Sequence, residues 1–244
     1  MSRLVPGAAA TLFLLVVAGL PPPARAASDC APAAEEALTR LAADWRAGEF
    51  EAAAADARAA YALAPACVEL GTASWAGSGW NAAASASVAG GSADSLAQAR
   101  EALAVLESTE SAGNVGRSYA AALVHAAAAA AQHEREELRV WLEHAEGLGR
   151  RLTAGQRPWP LPFDVAEGEL WITVEDYDLA QAAFERALAA APTPVAMRGL
   201  ARARARRGDV ASACAPFARA LDLVPDRPDG TVAREARAFL RLCP

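Results

Sequence analysis

One spacing recurs along this chain and limits what it can fold into. In residues 174–192, "VEDYDLAQAAFERALAAAP", the residues Tyr177, Ala180, Phe184, Ala187 and Pro192 stand at intervals of three, four, three and five. In residues 208–225, "GDVASACAPFARALDLVP", the residues Val210, Ala213, Phe217, Ala220 and Pro225 repeat those intervals, and the two prolines lie 33 residues apart. In residues 48–65, "GEFEAAAADARAAYALAP", the set Phe50, Ala53, Ala57, Ala60 and Pro65 repeats them again, with alanine where the other copies carry phenylalanine. Residues three and four apart share a helix face. Each copy therefore reads as a helix with one apolar stripe, stopped by a proline that has no N–H to continue it. A period of this length announces a repeat array.

Composition agrees with helices in close contact. Apolar residues make up 54% of the chain but aromatics only 6%, so alanine dominates the core. Alanine has the highest helix propensity and almost no side-chain entropy to lose. Runs of β-branched residues in alternation are absent from the sequence, and the expected class is all-α. The middle is less regular. "DSLAQAREALAVLES" (94–108) reads as a helix with Asp94 as N-cap. Residues 116–148 read as a helical pair breaking near Gln132 and His133, with Leu138, Leu142 and Ala145 on the stripe of its second helix. The glycine- and serine-rich stretch 67–93 reads as a degenerate helix followed by a flexible turn. "DGTVAREARAFLRLC" (229–243) reads as a final covering helix capped by Thr231 or Asp229.

The chain resembles the tetratricopeptide repeat family, whose unit is a helix-turn-helix of about 34 residues. The resemblance is best over 161–225. There Gly168 and Trp171 fall at the first helix's small and aromatic positions, Leu200 and Ala201 match its Leu-Gly pair, and Gly208 closes the first helix of the next copy. In the first copy Leu38, Leu41 and Trp45 are displaced by one. The resemblance implies a right-handed α-solenoid of helix-turn-helix repeats with a C-terminal capping helix. The expected organisation is a first hairpin at 27–66, degenerate hairpins at 67–154, a proline-rich joint at 155–160, two repeats at 161–225 and the cap at 226–244.

Residues 1–26 read as an export signal: Arg3 precedes the apolar run "TLFLLVVAGL", and Ala24-Arg25-Ala26 supplies a small-x-small cleavage site. Cleavage would leave no membrane span, retention as a membrane anchor is the alternative, and the expected location is periplasmic or secreted. Four cysteines in an exported chain suggest two disulfides. Antiparallel hairpins bring Cys30 to Cys67 and Cys214 to Cys243, each bond contributing about 3–4 kcal/mol through loop closure. Free buried thiols or a metal site are the alternatives.

Charge is divided along the chain. Residues 27–192 carry 11 arginines against 24 acids, and residues 193–244 carry 10 arginines against 5 acids. An acidic body with a basic end argues against general nucleic-acid binding, which requires a broad positive surface. Catalytic patterns do not assemble. "HEREE" (133–137) lacks the second histidine of a zinc-protease helix, "GSGWNA" (77–82) follows no strand, and the sequence has no Gly-x-Ser-x-Gly elbow. No catalytic residue, cofactor or metal is assigned, and the three histidines are read as surface or inter-helix residues.

One constellation stands out. Arg198, Arg202 and Arg206 recur every four residues and form a positive stripe along one helix. The resemblance implies that this helix lines a concave groove. The stripe is then a partner-binding surface for an acidic peptide segment, since guanidinium forks suit carboxylates. A solvated helix face, or neutralisation by Glu169 of the preceding repeat, is the alternative. The expected function is a non-enzymatic protein–protein interaction module of the cell envelope or extracellular space. A structural or assembly factor using another surface, and a divergent cell-wall hydrolase, are the other readings.

Overall fold

A computed structural model describes residues 30–88, 93–108, 113–153 and 156–243. Residues 1–29, which include the expected export signal, and the segments 89–92, where the flexible turn is expected, and 109–112, together with Ala154, Gly155 and Pro244, lie outside the described residues. All the regular structure described is α-helical and falls into consecutive pairs: α1 (Pro32–Ala47) with α2 (Phe50–Leu63), α3 (Val68–Ala86) with α4 (Ala93–Leu106), α5 (Val115–Ala131) with α6 (Arg135–Gly149), α7 (Phe163–Thr173) with α8 (Tyr177–Ala190), and α9 (Pro194–Arg206) with α10 (Val210–Asp222). A last helix, α11 (Thr231–Leu240), packs on α10 and α9.

Four of the five hairpins share a corner geometry, and residues 89–92 of the corner between α3 and α4 lie outside the described residues. One residue after the first helix turns the chain through left-handed backbone space: Gly48 at φ 79°, His133 at 58°, Glu175 at 60° and Gly208 at 91°. Glycine takes this conformation freely. At His133 and Glu175 the chain accepts strain to make the same turn. Asp176 and Asp209 then accept the backbone N–H groups of Leu179 and Ser212 and cap the second helices.

The odd helices carry the core. They contact one another in a closed circuit, α1 to α3, α5, α7, α9 and back to α1, and each even helix from α2 to α8 packs against the two odd helices flanking it in sequence. The recurring stripe faces these contacts. Ala53, Ala57, Ala180, Phe184, Ala187, Ala213, Phe217 and Ala220 are all buried. Phe184 fills the space between α7 and α9, where a Cβ on Gly168 would lie 2.7 Å from its ring and one on Gly199 2.2 Å.

The stretch read as a degenerate helix is instead the longest helix described, α3, and one of the most buried. Its glycines mark helix crossings. A Cβ on Gly77 would lie 2.9 Å from the Trp45 ring, and one on Gly79 would lie 2.7 Å from Val124 Cγ1 of α5. Two cap assignments also change. Asp94 lies inside the first turn of α4, which begins at Ala93. The N-cap of α11 is Gly230, which has no side chain to offer.

Both disulfides are present, Cys30–Cys67 at the base of the first hairpin and Cys214–Cys243 between α10 and the end of α11. The two ends of the array meet. Arg227 donates to Asp44 at 2.5 Å, and Glu49 accepts the Thr231 N–H at 2.7 Å and its hydroxyl at 3.0 Å. The carboxylate that caps α11 therefore comes from the first hairpin, where it also meets the positive end of the helix dipole. These closing contacts join the end of α1 and the corner after it to the segment between α10 and α11 and to the start of α11.

Candidate functional site

Thr193 caps α9, its hydroxyl accepting the Ala196 N–H at 3.3 Å, and Pro194 starts the first turn. This fixes the helix that carries the arginine stripe. Arg198, only 3% exposed, donates to Glu169 Oε1 at 3.0 Å, and Arg202 donates to Glu169 Oε2 at 2.9 Å. Glu235 of α11 lies 3.8 Å from Arg198 Nε and 3.5 Å from Arg202 Nε. The Arg198 guanidinium also sits 5.4 Å from the centre of the Phe50 ring, within cation–π range. One buried arginine thus links α2, α7, α9 and α11.

Arg206 stands apart from this network. It is exposed, with no ion pair among the described residues. The stripe therefore contains two kinds of residue: two arginines bound to carboxylates and one facing solvent.

Burial pushes the Glu169 carboxyl up, but Arg202 and Arg198 outweigh that penalty and hold it below the ordinary carboxylate range. The Glu169 carboxylate in turn raises the Arg202 guanidinium above its ordinary value, against the opposing effect of burial. Glu167, two residues away on the same helix, goes the other way. Its burial outweighs the hydrogen bond from Trp171 and the charge of Arg186, and its carboxyl is raised.

The proline-rich joint and the residues just after it reach α1, α3 and α5. Arg157 donates to Glu69 of α3 at 2.9 Å and to Glu35 of α1 at 3.4 Å, and Trp159 Nε1 donates to the same Glu69 oxygen at 3.4 Å. Trp159 and Leu161 are buried. The Tyr119 hydroxyl of α5 donates to the Leu161 carbonyl at 2.7 Å. Burial, with Asp164 nearby, pushes that phenol far above its ordinary value and keeps it a neutral donor.

Two of the three histidines serve helix contacts, and His133 is exposed at the corner between α5 and α6. The His125 ring of α5 stacks on Trp141 of α6 at 3.9 Å, with Nε2 at 2.8 Å from Glu107, and His144 meets the same tryptophan edge-on. "GSGWNA" lies inside α3, and Asn81 donates to the Phe50 carbonyl at 2.9 Å. Among the described residues no group of three histidine, cysteine or carboxylate side chains could hold a metal ion.

Sequence reading missed Glu35, Glu49, Glu69, Arg157 and Arg227 as partners. Their contacts span up to 183 residues, and nothing local in the sequence marks them. Compared with known proteins, the chain matches no family model, no curated protein and no solved structure.

Proposed function

We propose that this chain is an exported, non-enzymatic protein–protein interaction module of tetratricopeptide type, a right-handed superhelix whose basic C-terminal end engages an acidic segment of a partner. The observation supporting this reading is the excess of arginines over acids in residues 193–244, ten against five, which leaves exposed guanidiniums there without a carboxylate. Arg157, Arg198 and Arg202 each have a carboxylate within hydrogen-bond distance. Arg206, Arg219, Arg234 and Arg241 are exposed and have no ion pair among the described residues. They lie on or just beyond α9, α10 and α11, three helices packed together. Unpaired guanidiniums on a chain that is otherwise acidic give that end a field that attracts carboxylates.

A segment laid along the whole arginine stripe would have to displace Glu169 from two arginines. The proposed contact therefore starts at Arg206 and runs outward over α10 and α11. Two disulfides fit an oxidising compartment, and no helix among the described residues is long and apolar enough to cross a membrane. Periplasmic or secreted placement is part of the proposal.

The test is affinity capture from the native envelope or medium, using the processed chain beside a variant with Arg206→Glu, Arg219→Glu, Arg234→Glu and Arg241→Glu. Loss of a captured partner from a variant with an unchanged helical spectrum and melting curve supports the reading. Capture that survives all four substitutions refutes it. That outcome favours a structural or assembly factor using another surface, a reading already helped by the filled joint around Trp159 and by the joined ends of the array. Arg198 is left unchanged in this test because its loss would leave the buried Glu169 with only one of its two arginines.

A further inference from the structure

The first hairpin is the only one in the array whose leading helix has no second helix of a preceding hairpin on its flank among the described residues. α2 covers α3, α4 covers α5, α6 covers α7 and α8 covers α9. The closing contacts reach α1 at Asp44 and the corner at Gly48 and Glu49, and leave its N-terminal half open. A cavity of about 590 Å³ lies there between α1 and α2. Its floor is apolar, formed by Ala34, Ala37, Leu41, Ala60 and Leu70, and Leu63 stands on its rim. Leu63 is 89% exposed, more than any other large hydrophobic residue described.

We propose that this cleft is the contact between two copies of this chain, related by a two-fold axis, with Leu63 of each copy seated in the cleft of the other. Three features select a second copy. A two-fold contact is reciprocal, so one interface covers both clefts and both leucines. The outer face of α2 carries exposed Ala52, Ala55, Ala59 and Ala62, and side chains this small let two helices approach closely.

The third feature is charge. The charged side chains that line the cleft are Arg40 and Asp44 of α1 and Asp56 of α2, and Arg227 already pairs with Asp44, so the cleft offers one further charge of each sign although the chain around it is acidic. A surface built for a foreign partner of one sign would be biased, whereas a balanced one complements itself. Asp56 has no ion pair among the described residues, and Arg40 is paired only with Glu36 of its own helix. Across a two-fold axis, Arg40 of one copy meets Asp56 of the other.

Sedimentation equilibrium on the processed chain, with both disulfides formed, tests this. The native chain is expected to be a dimer. Leu63→Glu is expected to raise its dissociation constant on the order of a hundredfold, since both buried leucines are lost. The exposure of Leu63 in the single chain means that the melting curve of the monomer stays the same. Arg40→Asp and Asp56→Arg should each weaken the dimer, and the two together should restore it. A native chain that stays monomeric at its highest soluble concentration overturns the proposal, as does a dimer that Leu63→Glu leaves intact. Charge reversals that weaken the dimer without mutual rescue overturn the two-fold pairing.

Discussion

The contact between α3 and α5 and the contact between α7 and α9 bring helices together by opposite means. At the first, no charged side chain is buried. Gly79 leaves room for Val124, and α5 supplies a run of buried alanines from Ala120 to Ala130. At the second, the glycines 168 and 199 leave room for the ring of Phe184, and Glu169 binds two arginines beside it. Backbone surfaces with small side chains fit in several registers. A ring held between two glycines, next to a fork of hydrogen bonds, fits in one. The first contact supplies packing, and the second also fixes the angle at which the last repeats meet the first, because Arg198 reaches Phe50.

Removing the charge from the second contact should have the largest effect. Glu169→Ala leaves Arg198 buried, with Glu235 too distant to accept a hydrogen bond from its Nε. Stranding one member of a buried pair costs about 3–5 kcal/mol, to be measured by urea denaturation. Replacing both members with Glu169→Met and Arg198→Met should recover much of that loss. If Glu169→Ala alone is neutral, the network does not hold the corner. Acid sharpens the same test. The Glu169 carboxyl is depressed in the folded chain, so its contribution is present above the carboxyl's unfolded value and is lost as pH falls through the folded one. Glu169→Gln should flatten that part of the acid limb of the stability profile.

Steric substitutions make the second comparison. Gly199→Ala places a methyl group 2.2 Å from the Phe184 ring, and Gly79→Ala places one 2.7 Å from Val124 Cγ1. Overpacking of this kind costs about 1–3 kcal/mol, partly offset by the higher helix propensity of alanine. The difference lies in rescue. Phe184→Leu should relieve Gly199→Ala, because the ring is the obstacle, and Val124→Ala should relieve Gly79→Ala. Thermal melting of the two double-mutant cycles reads the coupling. Failure of the Phe184 rescue would mean that the close approach of α7 and α9 is set by their backbones.

The same difference explains how much could be read from the sequence. Phe184 and Phe217 gave the repeat away because an interlocking aromatic must recur at a fixed offset. Gly208 was legible for a related reason, since a left-handed corner favours glycine; His133 and Glu175 make the same corner without that mark. α3 was misread because glycine at a helix crossing and glycine in a flexible turn look alike in a sequence. The pairing of Glu169 with the arginine stripe was legible as the alternative reading, its partners lying one repeat away, and it holds for Arg198 and Arg202. Glu49 and Thr231 were not, because a contact across 182 residues depends on how far the whole array curls.

That closure yields the smallest effect and the most specific readout. Arg227 and Asp44 are partly solvated, and Glu49 supplies a cap at a helix end, so Arg227→Ala and Glu49→Gln should each cost about 1 kcal/mol or less. A global melt would scarcely register them. The first turn of α11 should register Glu49→Gln directly, because a weaker acceptor is left for the Thr231 N–H, and amide hydrogen exchange there should speed up while α3 and α5 stay unchanged. Unchanged exchange in both variants would mean that Cys214–Cys243 and packing on α10 hold α11 by themselves. The joined ends would then follow from the curvature of the array. Faster exchange spreading from α11 into α1 would mean that the first and last hairpins stabilise each other, and that the array behaves as one cooperative unit across its seam.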